Sequence, residues 1–409
     1  MKTYDIVIVG GGASGLIAAI SSKKVNRNIR VAIIEKNDRI GKKLINTGNG
    51  RCNITNTDIT KEHYYSSNAD FFNFFDNFSL NDTEEFFNKL GVVFKIEESG
   101  KIYPYSLQAS SVLDALRYEC EKLSVDVFCR ERVKSAKKNG TDFSVVTNLD
   151  EYSSSALIVA ARGAASDKLG GSYDGYKLLK SFGHKSTEIY PSITAVKTKT
   201  DLIKALKGIK TDADVTLVNG KQKKSMFGEI LFTDYGLSGP PILQLSQMLM
   251  GKGGGAYFEI DFMPEYLYND IVELIKKRKN NVFEDKLENL FIGMLNKRIG
   301  QCVIKSAGLS LSDSASLLTD KQIDSVASKI KKFRLEVTGV RGFEYAQVTG
   351  GGIELNKFDC LTMQSLICNG LYACGEVLDI TGDCGGFNLQ WAWTSGYKAG
   401  ENAAKSVRK

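Results

Sequence analysis

Three glycines near the N-terminus, Gly10, Gly12 and Gly15, have G-x-G-x-x-G spacing in the segment VGGGASG. In that spacing the first glycine allows a tight turn, the second lets the backbone approach a pyrophosphate, and the third lets a helix pack closely on a strand. Glu35 follows Gly15 by 20 residues, where a carboxylate can accept hydrogen bonds from an adenosine ribose. These residues predict a dinucleotide site; a glycine turn with an incidental surface glutamate is the alternative.

A strand, a turn and a helix must position these residues. The apolar run at residues 6–9 is typical of a strand buried on both faces of a parallel sheet. A helix rich in small residues follows, and its N-terminus would direct free N–H groups and a positive dipole end at the phosphates. The next strand, RVAIIEK, contains Glu35. The sequence therefore predicts an α/β fold built on a Rossmann-like βαβ unit.

A second glycine-rich stretch, GKKLINTGNGRCNITN, occupies residues 41–56. Glycines let a backbone lie against a flat ring, and asparagine side chains and backbone N–H groups match the polar edge of such a ring. Arg51 is suited to bind a pyrophosphate or a substrate anion. Cys52 has no C-x-x-C partner, so packing is favoured over a redox-active disulfide. A solvated loop is the plainer alternative for the whole stretch.

A third glycine-rich segment, LYACGEVLDITGDCGGFNLQWAWTSGYKAG, occupies residues 371–400. Its pattern predicts a short strand at 371–374, a loop beginning with Gly375 and Glu376, and a helix starting near Phe387 or Asn388. A helix N-terminus beside the pyrimidine edge of a flavin stabilises the negative charge that develops on N1 and O2 during reduction. Glu376 would hold the ribityl hydroxyls. This segment favours FAD over NAD; a capping helix after a glycine-rich loop is the alternative.

Small residues recur along that C-terminal helix. Ala392, Gly396 and Gly400 follow one another at intervals of four and form a flat stripe on one helix face. The stripe predicts close packing against the first βαβ unit.

Composition limits the other classes of chemistry. The chain has 409 residues, 43% of them hydrophobic, which suits two or three compact domains. The 8 cysteines are scattered without a C-x-x-C pair, so no metal site is expected. With only 2 histidines, an organic cofactor carrying the difficult step is favoured over a histidine base.

Charge and hydropathy bear on partners and location. The net charge of +7 is mild for this length, and the lysines are dispersed, so nucleic-acid binding is not favoured. No apolar run reaches the length of a membrane span, and the start of the chain has the pattern of a strand rather than a signal peptide. We therefore expect a cytoplasmic protein with a small-molecule substrate and no membrane partner. The oligomeric state stays open.

Taken together, these motifs resemble the bacterial NAD(P)/FAD-dependent oxidoreductases of the BaiN or aminoacetone oxidase type. The resemblance extends over nearly the full chain and includes the segments GEILFTDYGLSGPPILQLS and AQVTGGGIEL. It implies a glutathione-reductase-type FAD domain with two inserted subdomains, and a more distant similarity to fumarate reductase flavoproteins. It also implies that residues 46–56 line the flavin.

The FAD contacts implied by the motifs and the resemblance are found in several segments. They are Gly10, Gly12, Ala13, Ser14, Gly15, Glu35, Lys36, Lys43, Thr47, Gly48, Asn49, Gly50, Arg51, Cys52, Asn53, Val133, Ala161, Arg162, Gly163, Gly375, Glu376, Asp379, Gly385, Gly386, Phe387, Asn388 and Leu389.

The chain departs from the family at one of these positions. The family usually has Ala-Thr-Gly-Gly after the strand SSALIVAA, and this chain has Ala161, Arg162, Gly163 and Ala164. Arg162 adds a charge there, so we expect the affinity for FAD to differ from the family norm. Val133 lies where relatives contact adenine through backbone groups.

The middle of the chain predicts an insertion. Short strands and turns run from about residue 191, with a hairpin signal at Asn219-Gly220 and a helix start at Pro240. Asn139-Gly140 is another hairpin signal, earlier in the chain and within the predicted FAD domain. A lysine-rich helical stretch follows. The simplest interpretation is that its lysines form a solvent-exposed helix face; the alternative is that they bind an anionic partner or the 2′-phosphate of NADPH. The predicted division is an FAD domain at 1–190 and 342–409, a β subdomain at 191–265 and 334–341, and a helical subdomain at 266–333.

The phenylalanines of DFFNFFDNFSLNDTEEFFNKL, residues 70–90, are spaced for one amphipathic helix with an aromatic core face. Its members Phe71, Phe74, Phe75 and Phe78 are therefore expected to pack rather than to bind a ligand.

The predicted function is that of an FAD-dependent oxidoreductase, which passes a hydride through flavin N5 between a small organic substrate and NAD(P)H or oxygen. No second G-x-G-x-x-G follows a strand, so no dedicated nicotinamide domain is expected; either NAD(P)H docks transiently over the flavin or the substrate itself is the reductant. An FAD-dependent tRNA-modifying enzyme and a non-catalytic flavin-binding redox sensor are the alternatives. No catalytic residue is assigned; Tyr103, Tyr105 and Tyr235 are candidate proton donors, and His184 is expected to be a turn residue.

Overall fold

The computed structural model describes residues 1–251 and 254–407. The chain forms two compact units. The first comprises Met1–Tyr190 with Val348–Lys409, and the second is the intervening segment Pro191–Gln347.

The strands of the described residues are, in chain order, β1 Lys2–Val9, β2 Val31–Glu35, β3 Thr55–Asn56, β4 Tyr64–Tyr65, β5 Phe94–Ile96, β6 Lys101–Pro104, β7 Asp126–Cys129, β8 Val133–Asn139, β9 Asp142–Thr147, β10 Glu151–Val159, β11 Tyr190–Ser192, β12 Val196–Thr198, β13 Lys210–Asn219, β14 Gln222–Phe232, β15 Gly236–Ser238, β16 Tyr257–Asp261, β17 Phe333–Val340, β18 Val348–Gly350, β19 Leu371–Ala373 and β20 Thr381–Gly382.

The α-helices of the described residues are α1 Ala13–Val25, α2 Leu80–Lys89, α3 Ala109–Lys122, α4 Asp174–Ser181, α5 Pro240–Leu245, α6 Tyr268–Arg278, α7 Lys297–Ser306, α8 Asp320–Lys331 and α9 Phe387–Ser406.

The first unit is built on a seven-stranded sheet with the order β7-β2-β1-β10-β9-β8, in which β19 also pairs with β10. Strands β7, β2, β1, β10 and β19 run parallel, whereas β8 and β9 form an antiparallel hairpin after β7. The parallel strands are apolar where both faces of the sheet are covered: all five residues of β2 are buried, as are Ala156 to Val159 at the end of β10. The predicted α/β class with a Rossmann-like βαβ unit is confirmed.

Helix α9 packs against α1 along the predicted stripe of small residues. A Cβ placed on Gly396 would lie 2.4 Å from the Ser14 carbonyl oxygen, and one on Gly400 would lie 2.1 Å from the Ala18 carbonyl oxygen. The close packing expected from the stripe is confirmed, and it fixes the N-terminus of α9 relative to that of α1.

The prediction of one continuous helix over residues 70–90 is wrong, although its aromatic core face is confirmed. Phe71–Phe75 form a 3₁₀ turn, and α2 begins only after Ser79. Asn77 adopts a left-handed conformation with φ of 65°. The Ser79 hydroxyl accepts a hydrogen bond from the Asp82 N–H, and Ser79 and Asp82 together cap the new helix. This capping box starts a second helix because it satisfies the free N–H groups of its first turn.

The second unit contains a closed barrel with the order β12-β15-β14-β13-β16-β17. Two of its strands, β13 and β14, are longer than the short strands that the sequence suggested, and they pair through the predicted Asn219-Gly220 hairpin. The helices α6, α7 and α8 share one hydrophobic core with the barrel: Ile271 and Ile323 belong to the same buried cluster as Val215. The β and helical parts of the insertion therefore depend on each other for burial.

Candidate active site

Four predicted site segments meet at one edge of the first unit's sheet. Strands β2, β1, β10 and β19 lie side by side and parallel, so their carboxyl ends reach the same edge. Glu35 ends β2, the glycine turn follows β1, residues 161–163 follow β10, and Glu376 follows β19. In open α/β sheets the crevice outside these carboxyl ends is where ligands bind. We call this group of segments the strand-end site.

The start of α1 faces open space. Gly12 is the N-cap of α1, and no side chain caps the helix. A Cβ placed on Gly12 would meet no atom within 4 Å. By contrast, a Cβ on Gly15 would lie 1.9 Å from the Gly10 carbonyl oxygen, so only glycine permits this contact between helix and turn. The free N–H groups of α1 therefore open onto a space that a phosphate group fits.

A cavity lies beside this helix start. The Glu35 carboxylate reaches it in a fixed orientation, because its oxygens accept from the Gly11 N–H at 2.9 Å and from the Asn37 N–H at 2.8 Å. The cavity is also lined by Glu131 and Asp174, which no sequence motif indicated. The predicted site residues in its wall are Gly10, Gly12, Glu35, Lys36, Val133, Ala161 and Arg162.

An ion pair lies where the turns after β19 and β2 approach each other. The Lys43 ammonium is 2.7 Å from a carboxylate oxygen of Glu376, and both side chains are largely buried. Burial lowers the pKa of Lys43. Burial by itself would raise the pKa of Glu376, but Lys43 and Arg162 together hold that pKa below its usual value. The other Glu376 oxygen accepts from the Thr349 N–H at 3.0 Å, so the carboxylate is ionised and fixed.

Arg162 contributes a second positive charge to the strand-end site. Its Nη1 donates to the Leu169 carbonyl oxygen, while Nε and Nη2 are buried and have no hydrogen-bond partner in the part of the chain that the structure describes. Burial lowers the pKa of the guanidinium, and the nearby carboxylates of Glu376 and Glu35 counter that effect. A buried, ionised group with unpaired donors is costly unless a ligand completes it.

The loop at residues 41–56 is held in left-handed turns. Gly48, Asn49 and Cys52 have φ values of 56°, 55° and 58°. Leu44–Gly50 contains short 3₁₀ turns interrupted by a kink at residues 47–49, and residues 52–56 are buried. The alternative of an entirely solvated loop is therefore wrong.

This loop packs directly on the segment before and within α9. A Cβ on Gly386 would lie 2.4 Å from the Thr55 carbonyl oxygen, and the Asn56 amide donates to the Gly385 carbonyl oxygen at 3.0 Å. The indole N–H of Trp393 donates to the Ile54 carbonyl oxygen at 2.9 Å. We call the association of residues 54–56 with residues 382–393 the glycine-loop contact.

The polar residues of the first loop have defined partners. Arg51 lies 3.3 Å from Glu97 and places its guanidinium over the Tyr103 ring at 4.6 Å. Burial raises the pKa of Cys52 to about 12, so its thiol is protonated at neutral pH, which favours the packing interpretation. The Thr47 hydroxyl donates to the Leu44 carbonyl oxygen, and the buried Asn53 Oδ1 has no partner in the described residues.

The predicted residues around α9 serve two different contacts. Asn388 holds the turn before the helix, since its side chain accepts from the Gly382 N–H at 2.8 Å and donates to the Gly382 carbonyl oxygen at 2.7 Å. Phe387 stacks on the His63 ring with centroids 4.4 Å apart. Asp379 accepts from the N–H of Ser67 at 3.0 Å, and neither it nor Arg51 lines the cavity of the strand-end site.

The remaining predicted residues occupy several separate places. Lys36 pairs with Asp174 at 3.7 Å. A Cβ on Gly163 would lie 2.3 Å from the Thr349 hydroxyl, and a Cβ on Gly375 would lie 2.5 Å from the Ser14 hydroxyl.

Three others mark the ends or the packing of elements. Ala13 begins α1, Gly50 ends the 3₁₀ stretch that starts at Leu44, and Leu389 is partly buried against the core.

The candidate proton donors lie in different environments. Tyr103 is buried beside the first loop, Tyr105 is exposed, and Tyr235 lies in the second unit with Arg341 over its ring. His184 is buried, is 2.9 Å from the Ser365 hydroxyl, and has its pKa lowered to about 4 by burial. It is therefore a neutral, packed side chain.

Sequence reasoning missed Thr349. Its N–H donates to Glu376, and its hydroxyl accepts from the Ala165 N–H at 2.9 Å, so it joins the turns after β10 and β19. The signal was the glycine run that follows it in VTGGG, which the sequence alone placed only in a strand-like context.

Residues 1–251 and 254–407 contain no group of three or more His, Cys, Asp or Glu side chains that could hold a metal ion. Over the same residues, no helix has both the length and the apolar character needed to cross a membrane.

The chain matches known proteins over its full length. Residues 4–402 match the family described as HI0933-like protein Rossmann domain. The chain is 33% identical over 405 residues to the 3-dehydro-bile acid delta(4,6)-reductase of Clostridium scindens, covering 98% of this chain and 99% of that protein. It is 30% identical over 416 residues to the ribosomal RNA dihydrouridine synthase of Escherichia coli, covering 99% of this chain and 100% of the relative.

Among solved structures, the open conformation of a flavocytochrome c3 fumarate reductase superposes with a TM-score of 0.52 at 15% identity, covering 100% of this chain and 79% of that one. At this identity the likeness concerns the fold alone.

Proposed function

The chain belongs to the HI0933-like Rossmann family and is an FAD-dependent oxidoreductase, and we propose that it reduces a carbon–carbon double bond conjugated to a carbonyl group. The observation that supports this most strongly is the convergence of four predicted segments at the strand-end site, in a chain that matches a reductase over its full length.

The residues of the strand-end site suit the adenosine and diphosphate of FAD. Glu35 presents a fixed carboxylate for the ribose, and Gly12 leaves room for phosphate at the N-terminus of α1. Glu376 is held ionised next to Lys43, where it can accept from the ribityl hydroxyls. We propose that the glycine-loop contact lies along the flavin ring, with backbone N–H groups facing its polar edge.

When bound, FAD supplies the hydride chemistry through its N5 atom. The protein's part is to hold the cofactor and to stabilise charge: the N-terminus of α9, which lacks a side-chain cap, offers free N–H groups at the glycine-loop contact. NAD(P)H is the proposed reductant and docks transiently. Tyr103, buried beside Arg51, is the candidate that can hold a proton near the first loop.

The substrate class follows from what the relatives' names share. The reductase name refers to double bonds conjugated to a 3-oxo group, and dihydrouridine arises by reduction of the uracil double bond conjugated to a ring carbonyl. Both reactions add a hydride to a carbon made electrophilic by the carbonyl. A small organic enone is the substrate favoured here, in a cytoplasmic enzyme.

A second candidate is a reductase of uridine in RNA. The segment 191–347 contains 23 Lys and Arg against 18 Asp and Glu, so it carries +5 of the net charge of +7. This excess, together with the full-length match to ribosomal RNA dihydrouridine synthases, favours RNA over other macromolecules.

An anaerobic absorbance titration of the FAD-loaded protein with NADPH and NADH tests the proposal. We expect bleaching of the flavin band by one nucleotide, followed by rapid reoxidation on addition of a 3-oxo-4-ene steroid. Reoxidation only by unmodified ribosomal RNA would establish the second candidate. A flavin that neither nucleotide bleaches would contradict both and would leave a substrate-reduced oxidase or a redox sensor.

A further inference from the structure

Arg162 has an unusual environment for an arginine. It lines the cavity of the strand-end site together with Gly12, and its Nε and Nη2 atoms are buried with no hydrogen-bond partner in residues 1–251 and 254–407. Its one hydrogen bond in the described residues runs from Nη1 to the Leu169 carbonyl oxygen. A guanidinium presents its donors as a rigid fork that matches two oxygens of a phosphate group. The two unpaired donors therefore indicate a ligand that carries such oxygens.

We propose that Arg162 is a diphosphate-binding residue, which pairs through Nε and Nη2 with the diphosphate of FAD opposite the N-terminus of α1. Gly12 leaves the space at that N-terminus open, and α1 has no acidic residue in its first turn to occupy it. The diphosphate thus lies between a helix dipole and a buried guanidinium, two independent sources of positive charge.

The carboxylates near Arg162 explain why a diphosphate would need a positive group at this position. Glu35 and Glu376 are the carboxylates whose fields reach Arg162, and Lys43 is already paired with Glu376 at 2.7 Å. Without Arg162, a diphosphate with two negative charges would approach two carboxylates and one committed ammonium. The guanidinium offsets that repulsion, and its Nε and Nη2 have no carboxylate partner among the described residues.

The inference rests on the proposed function only in taking FAD as the ligand. Its test uses the full-length protein freed of flavin, and FAD, ADP and adenosine as probes. Dissociation constants for FAD come from the change in flavin fluorescence, and those of ADP and adenosine from isothermal titration calorimetry, which needs no bound FAD. If the wild-type protein bound no FAD, the proposed function would fail; the inference on Arg162 is decided by the variants.

Three variants distinguish a direct contact between Arg162 and the diphosphate from a general effect of positive charge in the cavity. Arg162→Gln removes the charge and the fork, and Arg162→Lys keeps the charge without the fork. Arg132→Gln removes a charge from the same cavity wall, but from a guanidinium that is already paired with Asp174 at 2.7 Å. Circular dichroism and thermal unfolding establish that each variant is folded.

We expect Arg162→Gln to weaken FAD and ADP binding by about ten- to hundredfold and adenosine binding by less than about threefold. Arg162→Lys should lose part of the ADP preference, and Arg132→Gln should stay within about twofold of wild type. Equal losses for ADP and adenosine in Arg162→Gln, or unchanged ADP binding, would overturn the proposal. If Arg162→Gln does not fold, an unchanged preference for ADP over adenosine in Arg162→Lys overturns the forked contact instead.

Discussion

The strand-end site and the glycine-loop contact lie in the same unit and depend on different parts of the chain. In the strand-end site, charged side chains are the main features: those of Glu35 and Arg162 line an open cavity, and those of Lys43 and Glu376 form an ion pair. In the glycine-loop contact the groups approached are backbone carbonyl oxygens: the Asn56 amide donates to that of Gly385, and a Cβ on Gly386 would lie 2.4 Å from that of Thr55. The first region encloses an open cavity, and in the second the two chain segments pack directly on each other.

This difference predicts where an added side chain acts. At Gly12 the protein leaves room, so a larger residue alters ligand binding while the fold persists. At Gly386 there is no room and φ is 102°, so a larger residue acts on the fold first.

The largest expected effect is that of Gly12→Val on cofactor binding. The isopropyl group would occupy the space at the N-terminus of α1, and we expect the dissociation constant for FAD to rise by at least about a hundredfold, with little change in thermal stability. Flavin content after purification and fluorescence titration measure this. Gly342→Val is the matched control, because a Cβ there also meets nothing within 4 Å. Equal flavin loss in both variants would contradict the assignment of the strand-end site.

A smaller effect, on stability, is expected for Gly386→Ala. The methyl group would collide with the Thr55 carbonyl oxygen and force an unfavourable φ, which together cost roughly 2–4 kcal/mol of unfolding free energy. Gly140→Ala controls for the conformational part, since its φ is 63° and a Cβ there meets nothing within 4 Å. Urea unfolding of the two variants gives the comparison. If both lose the same stability, the glycine-loop contact is less tightly packed than the structure indicates.

The smallest effect is a pH dependence at the edge of the glycine-loop contact. His63 lies 3.0 Å from Asp383 and 2.9 Å from Asp58. Burial opposes ionisation, but the two carboxylates outweigh it and raise the pKa of His63 above its usual 6.5. A raised folded-state pKa means that the stabilisation is complete below about pH 6.5 and is lost as pH rises through the folded-state value.

We therefore expect the melting temperature of the wild type to fall by on the order of 2 °C between about pH 6 and about pH 8.5 because of this residue, and His63→Gln to remove that part of the decrease. Thermal unfolding at both pH values measures it. A decrease that is just as large in His63→Gln would show that other groups cause it.

Part of this architecture follows from local patterns that the sequence displays openly. The glycine spacing after β1, the apolar runs of the parallel strands and the small-residue stripe of α9 each act through neighbours close in sequence or through one helix face. For the phenylalanines of residues 70–90, the predicted burial is confirmed, but the predicted single continuous helix is wrong. The capping box at Ser79 and Asp82, also visible in the sequence, outweighed the helical period there.

The sequence by itself determined the fold class and the family, and it indicated the segments that the structure brings to the carboxyl ends of the parallel strands, because glycine turns and strand ends are specified by local backbone requirements. Only the tertiary structure decided which charged and polar groups of those segments lie next to one another. Lys43 and Glu376 are 333 positions apart in sequence and form an ion pair, Thr349 joins the turns after β10 and β19, and Arg162 is left with two unpaired donors. No local pattern encodes these relations, because they exist only after parallel strands distant in sequence bring their carboxyl ends to one edge of the sheet.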